Sequence, residues 1–219
     1  MLQYDLHIHS IRSMCGSMTV GEIIAEARRR GLRGIAVTDH GLAMQVPRFA
    51  LHVFSKRFPG EVDGLRVYKG IELNLLDDDA TVDAPMELRA HLDYVALGHH
   101  PAEGLLPDRG REANTDVLLR ALQRHPWIDT LVHPTQRSHP VDFARLLPAM
   151  ARDGVAFEVN EYNHHYGKSD PDHTAEVLRE AVALGVPVVT NSDAHVFCEI
   201  GEDTSRRRIL QRADVDPAT

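Results

Sequence analysis

The chain has 219 residues, 43% hydrophobic and 26% charged, enough for one soluble domain with a sizeable buried core. Its net charge of −8, from 24 basic and 32 acidic residues, disfavours a general nucleic-acid or membrane-surface role, because phosphate-bearing surfaces attract basic faces. Two cysteines, Cys15 and Cys198, make no disulfide framework and imply a reducing, cytoplasmic setting, and neither a signal-peptide pattern nor an apolar run of membrane-spanning length is read.

The first stretch, Leu2 to Ser10, reads as a strand ending in His7 and His9. Residues i and i+2 of a strand share a face, so the two imidazoles project the same way. A loop runs from 11 to 18. Thr19-Val20-Gly21-Glu22 has capping-box spacing and opens a helix that stops near Gly31. Gly34 to Thr38 is a second strand, ending in Asp39-His40, and a helix follows from Pro47 to Arg57. Leu65 to Ile71 is a third strand, ending in Glu72, and the acidic segment from Leu76 to Asp83 reads as an exposed turn.

Asp93 to Gly98 is a fourth strand, ending in His99-His100, and Asn114 is placed to cap a helix reaching about Arg124. Asp129 to Val132 is a fifth strand, ending in His133-Pro134, with a helix from Phe143 to Arg152. Val155 to Val159 is a sixth strand, ending in Asn160, and His164-His165 falls in the loop after it. Pro171 starts a helix to Leu184. Val186 to Thr190 is a seventh strand, ending in Asn191-Ser192-Asp193-Ala194-His195, and a last helix is expected near Arg206 to Arg212. The strands are apolar runs that alternate with helices, the pattern of a parallel sheet buried on both faces. An α/β fold follows, best as a closed or nearly closed β/α barrel spanning 1–219 as a single domain, with an open doubly wound sheet as the alternative.

Histidine is abundant, with 14 residues. Metal-ligand residue types stand directly after nearly every strand: His7 and His9, His40, Glu72, His99, His133, Asp193 and His195. In a parallel barrel these strand ends share one face, where barrel active sites are built. Taken singly, each has an ordinary reading as a helix cap, a solvated carboxylate or a buried histidine. Imidazoles and carboxylates without a four-cysteine cluster suit Zn²⁺, Mn²⁺ or Fe²⁺ in an open catalytic site. The ligands exceed the needs of one ion, and a bridging carboxylate would allow two.

Asp5-Leu6-His7-Ile8-His9-Ser10, Val37-Thr38-Asp39-His40-Gly41, Lys69-Gly70-Ile71-Glu72, Gly98-His99, Leu131-Val132-His133-Pro134 and Asn191-Ser192-Asp193-Ala194-His195 together resemble the PHP (polymerase and histidinol phosphatase) family. Among its branches the chain looks most like the small stand-alone phosphatases with a trinuclear zinc site. The resemblance implies a distorted seven-stranded barrel with two or three divalent ions, foremost Zn²⁺, at the strand ends. His7, His9, Glu72 and Asp193 would hold one ion. Glu72 would bridge to a second, held also by His99 and His133. His40 and His195 would hold a third, with Cys15 aligned at a place where related phosphatases commonly carry histidine. His100 is assigned to the rim. Asp5 and Asp39 suit carboxylates that orient imidazoles.

Hydrolysis of a small phosphomonoester is the implied activity, with attack on phosphorus by a metal-bound hydroxide and with Asp193, Glu72 and His195 as the catalytic residues. A phosphodiesterase or exonuclease acting on short nucleotides is the alternative enzyme, and a non-catalytic metal-binding module is the rival from another class. Long nucleic acid and membrane are not expected partners. Arg12, Arg109, Arg137 and Lys168 lie in loops after strands and are candidates to grip phosphate or plain surface charges.

Overall fold

Each apolar run found its place because one side of it faces a helix and the other the barrel interior. In the computed structural model, which describes residues 2–84 and 86–216, eight strands and seven α-helices follow one another. They are β1 (Tyr4–Ile8), α1 (Val20–Arg29), β2 (Gly34–Val37), α2 (Arg48–Arg57), β3 (Glu61–Val62), β4 (Leu65–Asn74), β5 (Tyr94–Gly98), α3 (Arg111–Arg124), β6 (Thr130–Leu131), α4 (Phe143–Asp153), β7 (Ala156–Asn160), α5 (Glu161–His165), α6 (Pro171–Ala183), β8 (Val188–Asn191) and α7 (Thr204–Ala213). The sheet order is β1-β2-β4-β5-β6-β7-β8, every neighbouring pair parallel, with the short β3 pairing antiparallel to β4.

β8 returns to β1 through a sparse seam. Ile8 and Ala194 form a single parallel bridge, His9 N donates to Ala194 O at 2.9 Å, and Leu6 N donates to the Asn191 side chain at 2.8 Å. The result is a nearly closed seven-stranded parallel barrel, as the strand pattern predicts. Successive strand residues face opposite sides. Thus Ile35 and Val37 pack outward with Ile23 and Ala27 of α1, while Ala36 joins Tyr94, Ala96 and Val132 in a small separate cluster. On the other flank Leu97, Leu131 and Phe157 pack with Leu118, Leu146 and Leu178 from α3, α4 and α6.

The helix starts carry their expected chemistry. Thr19 and Glu22 form the reciprocal box, with Glu22 N donating to Thr19 Oγ1 at 3.3 Å and Thr19 N donating to Glu22 Oε2 at 2.7 Å. Three local expectations need correction. α3 begins at Arg111 after Gly110, whose φ of +81° suits glycine, so Asn114 lies inside the first turn and instead accepts from Arg109 N. The acidic segment is exposed at Asp77–Asp79 but turns inward at Asp83, which accepts from Asn74 N at 2.8 Å and Ala43 N at 3.0 Å. His164 and His165 stand on α5 rather than in a loop. Among the described residues no helix is long and apolar enough to cross a membrane.

Candidate metal centre

The carboxyl ends of β1, β2, β4, β5, β6 and β8 converge on Glu72. This side chain is 1% exposed, inside the barrel mouth. Its Oε2 lies 3.4 Å from His7 Nε2, 3.3 Å from His9 Nε2 and 3.0 Å from His40 Nδ1. Its Oε1 lies 2.9 Å from His100 Nε2 and 3.0 Å from His133 Nε2. Asp193 Oδ1 completes the first group, 3.5 Å from His7 Nε2 and 3.2 Å from His9 Nε2. Glu72 thus offers one oxygen to each of two histidine sets, the placement a bridging ligand needs.

Cys15 reaches the cluster because the loop after β1 folds back on itself. Gly16 allows this: a Cβ there would lie 2.6 Å from Ser10 O. Ser17 N donates to His195 O at 2.9 Å, pinning the loop across to the far strand end. The ligand atoms of His9, Cys15 and His195 come within 4.8 Å of one another, as do those of His7, His9 and Glu72 and of His40, Glu72 and His100.

The tautomers are fixed from behind. His7 Nδ1 bonds Glu158 Oε1 at 2.9 Å. His9 Nδ1 bonds Ser13 Oγ at 3.2 Å, and that hydroxyl donates to Asp39 at 2.8 Å. Both imidazoles therefore turn an Nε2 lone pair inward, and the two Nε2 atoms stand 3.2 Å apart with no donor between them. His40 Nδ1 and Glu72 Oε2 are likewise buried without a hydrogen-bond partner. Converging lone pairs and carboxylate oxygens in a buried pocket are incomplete without a cation. The residues present fit divalent ions.

Electrostatics point the same way. Burial disfavours charge on every group here, yet Asp193, Glu158 and Glu72 hold the pKa of His7 well above its ordinary range. The partners Asp193, Cys15 and Glu72 do the same for His9. Glu72 and Asp193 are held well below the carboxylate range by the surrounding imidazoles, against their burial. Desolvation of the Cys15 sulfur opposes ionisation, but hydrogen bonds from His195, His40 and His9 outweigh it and lower the thiol to about 4. These shifts record one demand for positive charge at the centre of the cluster.

Seven of the sequence-derived ligand candidates meet at this centre: His7, His9, His40, Glu72, His133, Asp193 and His195, with Cys15 beside them. His99 is the exception. It stacks on His139 at 4.0 Å behind the cluster, and its neighbour His100 takes the place beside Glu72. Neighbouring residues at a strand end point opposite ways, so a one-position shift exchanges ligand for packing residue. Gly98 makes room for this arrangement: a Cβ there would lie 2.3 Å from the His100 ring and 2.9 Å from Glu72 Oε1. Asp39 orients His9 through Ser13 and also accepts from Ser10 N, while Asp5 accepts from Ser192 N and Gly201 N and so braces the backbone beside Asp193.

Glu158, which the sequence places with Asn160 on the sixth strand as a structural or pocket-lining residue, stands directly behind the cluster. Its Oε1 faces His7 and Asn191, and its Oε2 accepts from His133 N at 2.8 Å and Asn160 Nδ2 at 2.9 Å. A carboxylate in the middle of an apolar strand was the available sign. Two residues of the cluster, His133 (φ +36°) and Asp193 (φ +56°), hold left-handed backbone that non-glycine residues seldom adopt.

A cavity of about 380 Å³ opens over the cluster, and Arg137, Lys168, Tyr162 and Asn163 form part of its wall. Arg12 is instead ion-paired with Asp39 and laid over Phe54, and Arg109 pairs with Asp78 at the surface.

A nearly closed barrel with a histidine–carboxylate cluster at its strand ends makes a candidate metal centre, and comparison with known proteins gives its family. The chain belongs to the PHP domain family, whose profile matches residues 5–143. It is 29% identical over 212 residues to a "Probable phosphatase" of Acetivibrio thermocellus, covering 96% of this chain and 87% of that one. It is 31% identical to a "Probable phosphatase" of Shewanella sediminis, covering 96% and 85%. The fold matches histidinol phosphate phosphatase of Lactococcus lactis, solved with zinc, L-histidinol and phosphate, at a TM-score of 0.65 and 18% identity over 98% of this chain and 94% of that one.

Proposed function

We propose that this protein is a metal-dependent phosphatase that hydrolyses a small phosphomonoester. The observation that carries the proposal is Glu72, whose two oxygens face separate histidine sets inside one buried cluster. His7, His9, Glu72 and Asp193 would hold one ion, and Glu72, His100 and His133 a second. His40, His195 and Cys15 would hold a third. Zn²⁺ suits this nitrogen, oxygen and sulfur set best, and Mn²⁺ and Fe²⁺ suit the two sulfur-free sites. When bound, such ions lower the pKa of water and neutralise charge on phosphoryl oxygens.

The chain's own side chains do the remaining work. Glu158 keeps the His7 proton on Nδ1, and Ser13 with Asp39 does the same for His9. Asn160 Nδ2 donates to Asp193 Oδ2 at 3.1 Å and so aims Oδ1 at the two Nε2 atoms. His195 bonds Asp193 O through Nδ1 at 2.8 Å, which leaves Nε2 as the nitrogen that would meet an ion beside Cys15. Asp193, Glu72 and His195 are accordingly the catalytic residues we assign. The cavity admits a small substrate, and the acidic net charge supports a metabolite over long nucleic acid. The similarity to proteins named phosphatases supports the same reading. Two free, exposed cysteines support a reducing, cytoplasmic setting.

The test is a rate comparison on protein reconstituted separately with Zn²⁺, Mn²⁺ and Fe²⁺, using an aryl phosphomonoester against the matching diester. Monoester turnover that Asp193→Ala abolishes is the expected result. Preference for the diester would make the protein a phosphodiesterase, and metal binding without turnover of either would make it a binding module.

A further inference from the structure

We infer that the substrate's leaving group carries an anionic substituent, a carboxylate or a second phosphate, received by Lys168, Arg137 and Asn163 at the cavity mouth. The inference rests on the phosphatase reading and adds the charge class of the group that departs.

Two loops build this wall, and they are fastened to each other. Gln136 and Ser169 form an antiparallel bridge, Arg137 N donates to Lys168 O at 2.9 Å, and Arg137 Nη1 donates to Gly167 O at 3.1 Å. Gly167 has φ +66°, the turn that lets the second loop double back. Arg137 and Lys168 are thereby set side by side. The same loops are tied to the metal centre. Lys168 N donates to Asn163 O at 2.7 Å, Asn163 N donates to Asn160 Oδ1 at 2.9 Å, and Asn160 holds Asp193. Tyr162 joins the two regions from the other side: its ring lies 4.9 Å from the His195 ring, and the Lys168 ammonium sits 4.3 Å above it.

The donor and acceptor balance of the wall is one-sided. Asn163 is 4% exposed, lines the cavity, and leaves its Nδ2 without a hydrogen-bond partner. Among the described residues Lys168 makes no ion pair, and Arg137 shares only Asp170, which lies outside the cavity lining. Glu72 and Asp193 are the only carboxylates among the described lining residues, and both are committed to the metal centre. The mouth therefore offers an amide donor and two cations but no free acceptor charge. An anionic substituent finds charge-assisted partners there. A cationic one, such as an amino group, meets like charge and no counter-ion.

The experiment uses three phosphomonoesters of matched size: phenyl phosphate, 3-carboxyphenyl phosphate and 3-(aminomethyl)phenyl phosphate. kcat/KM is measured for each with the zinc-loaded parent and with Lys168→Glu. Comparing ratios between proteins cancels the intrinsic reactivity of each ester. The carboxylate-to-amine ratio is expected to fall by about tenfold or more in the variant, since a charge-assisted bond is replaced by repulsion. Calorimetric binding of the three corresponding non-hydrolysable phosphonates gives a readout independent of turnover. The carboxylate compound should bind tightest to the parent and lose that lead in Lys168→Glu. Turnover of all three esters with no preference, or a variant that keeps the parent's order, would overturn this inference while leaving the phosphatase reading intact. No turnover of any ester, with charge-ordered phosphonate binding retained, would overturn the phosphatase reading and keep the anion-selective wall.

Discussion

Replacing Glu158 by glutamine tests whether the cluster is oriented from behind. The carboxylate is 1% exposed and accepts from four donors: His7 Nδ1 and Asn191 Nδ2 at 2.9 Å on Oε1, and His133 N at 2.8 Å and Asn160 Nδ2 at 2.9 Å on Oε2. Glu158→Gln keeps the volume but turns one oxygen into an NH₂ group. Whichever way the amide flips, two donors then face a donor. Buried hydrogen-bonding groups left unmet cost about 1–3 kcal/mol each, so with two of them the metal-free variant should lose roughly 2–6 kcal/mol of stability. Losing the group that fixes a ligating imidazole lowers metal affinity about 10–100-fold.

Urea unfolding of the metal-free protein reads the first effect, and competition with a chromophoric chelator reads the second. Activity at saturating Zn²⁺ should fall less than affinity, because excess metal refills a weakened site. A Glu158→Gln protein with zinc affinity within about twofold of the parent and an unchanged unfolding midpoint would refute the orienting role.

His100→Ala should lower both zinc stoichiometry and phosphatase rate, whereas His99→Ala, which removes a ring stacked on His139, should leave stoichiometry intact; metal analysis after gel filtration distinguishes them. The Co²⁺-substituted parent should show near-ultraviolet sulfur-to-cobalt charge-transfer absorption that Cys15→Ser removes, and an identical spectrum in the variant would exclude Cys15 as a ligand. Burial lowers the His40 pKa, but Glu72 and Cys15 raise it to about 9 in the metal-free protein from its ordinary 6.5. A raised folded pKa stabilises below the unfolded value and loses that contribution as pH rises through the folded one. Cys15, lowered to about 4, works the other way over the same range, but His7 and His9 are raised as His40 is, so the three histidines outweigh it and metal-free protein should weaken in urea between about pH 6.5 and 9, while zinc-loaded protein, whose imidazoles are already neutral ligands, should not.

The barrel was legible because its signals are local. Six of the seven apolar runs are followed by a ligand-type residue, and the strand ends share one face in any parallel barrel, so His7, His9, Glu72 and Asp193 could be placed together without coordinates. What was not legible depended on register and on partners across the barrel. Choosing between His99 and His100 needs the orientation of the chain at the end of β5, and only the space above Gly98 decides it. Glu158 was visible as a charge in an apolar strand, but its partner His7 is 151 positions away. Lys168 looked like any loop lysine, since its pairing with Arg137 depends on two loops meeting.

The strained residues connect the two halves of this account. His133 and Asp193 hold positive φ without being glycine, a cost of about 1–3 kcal/mol each. Both strains are at cluster positions, and both are held by the same small group of side chains. Glu158 accepts from His133 N, and Asn160 bonds both Glu158 and Asp193. Asn160 also caps α5 through Asn163 N, and Asn163 O takes Lys168 N. The backbone that aims the ligands is thus continuous with the backbone that aims the cavity wall. An ion held by His7, His9 and Asp193 would fix Asp193 in its strained turn, and through Asn160 and Asn163 that order would extend toward Lys168. Protection of the 163–169 amides from hydrogen exchange should accordingly rise on adding Zn²⁺, and equal protection with and without the ion would separate the wall from the centre.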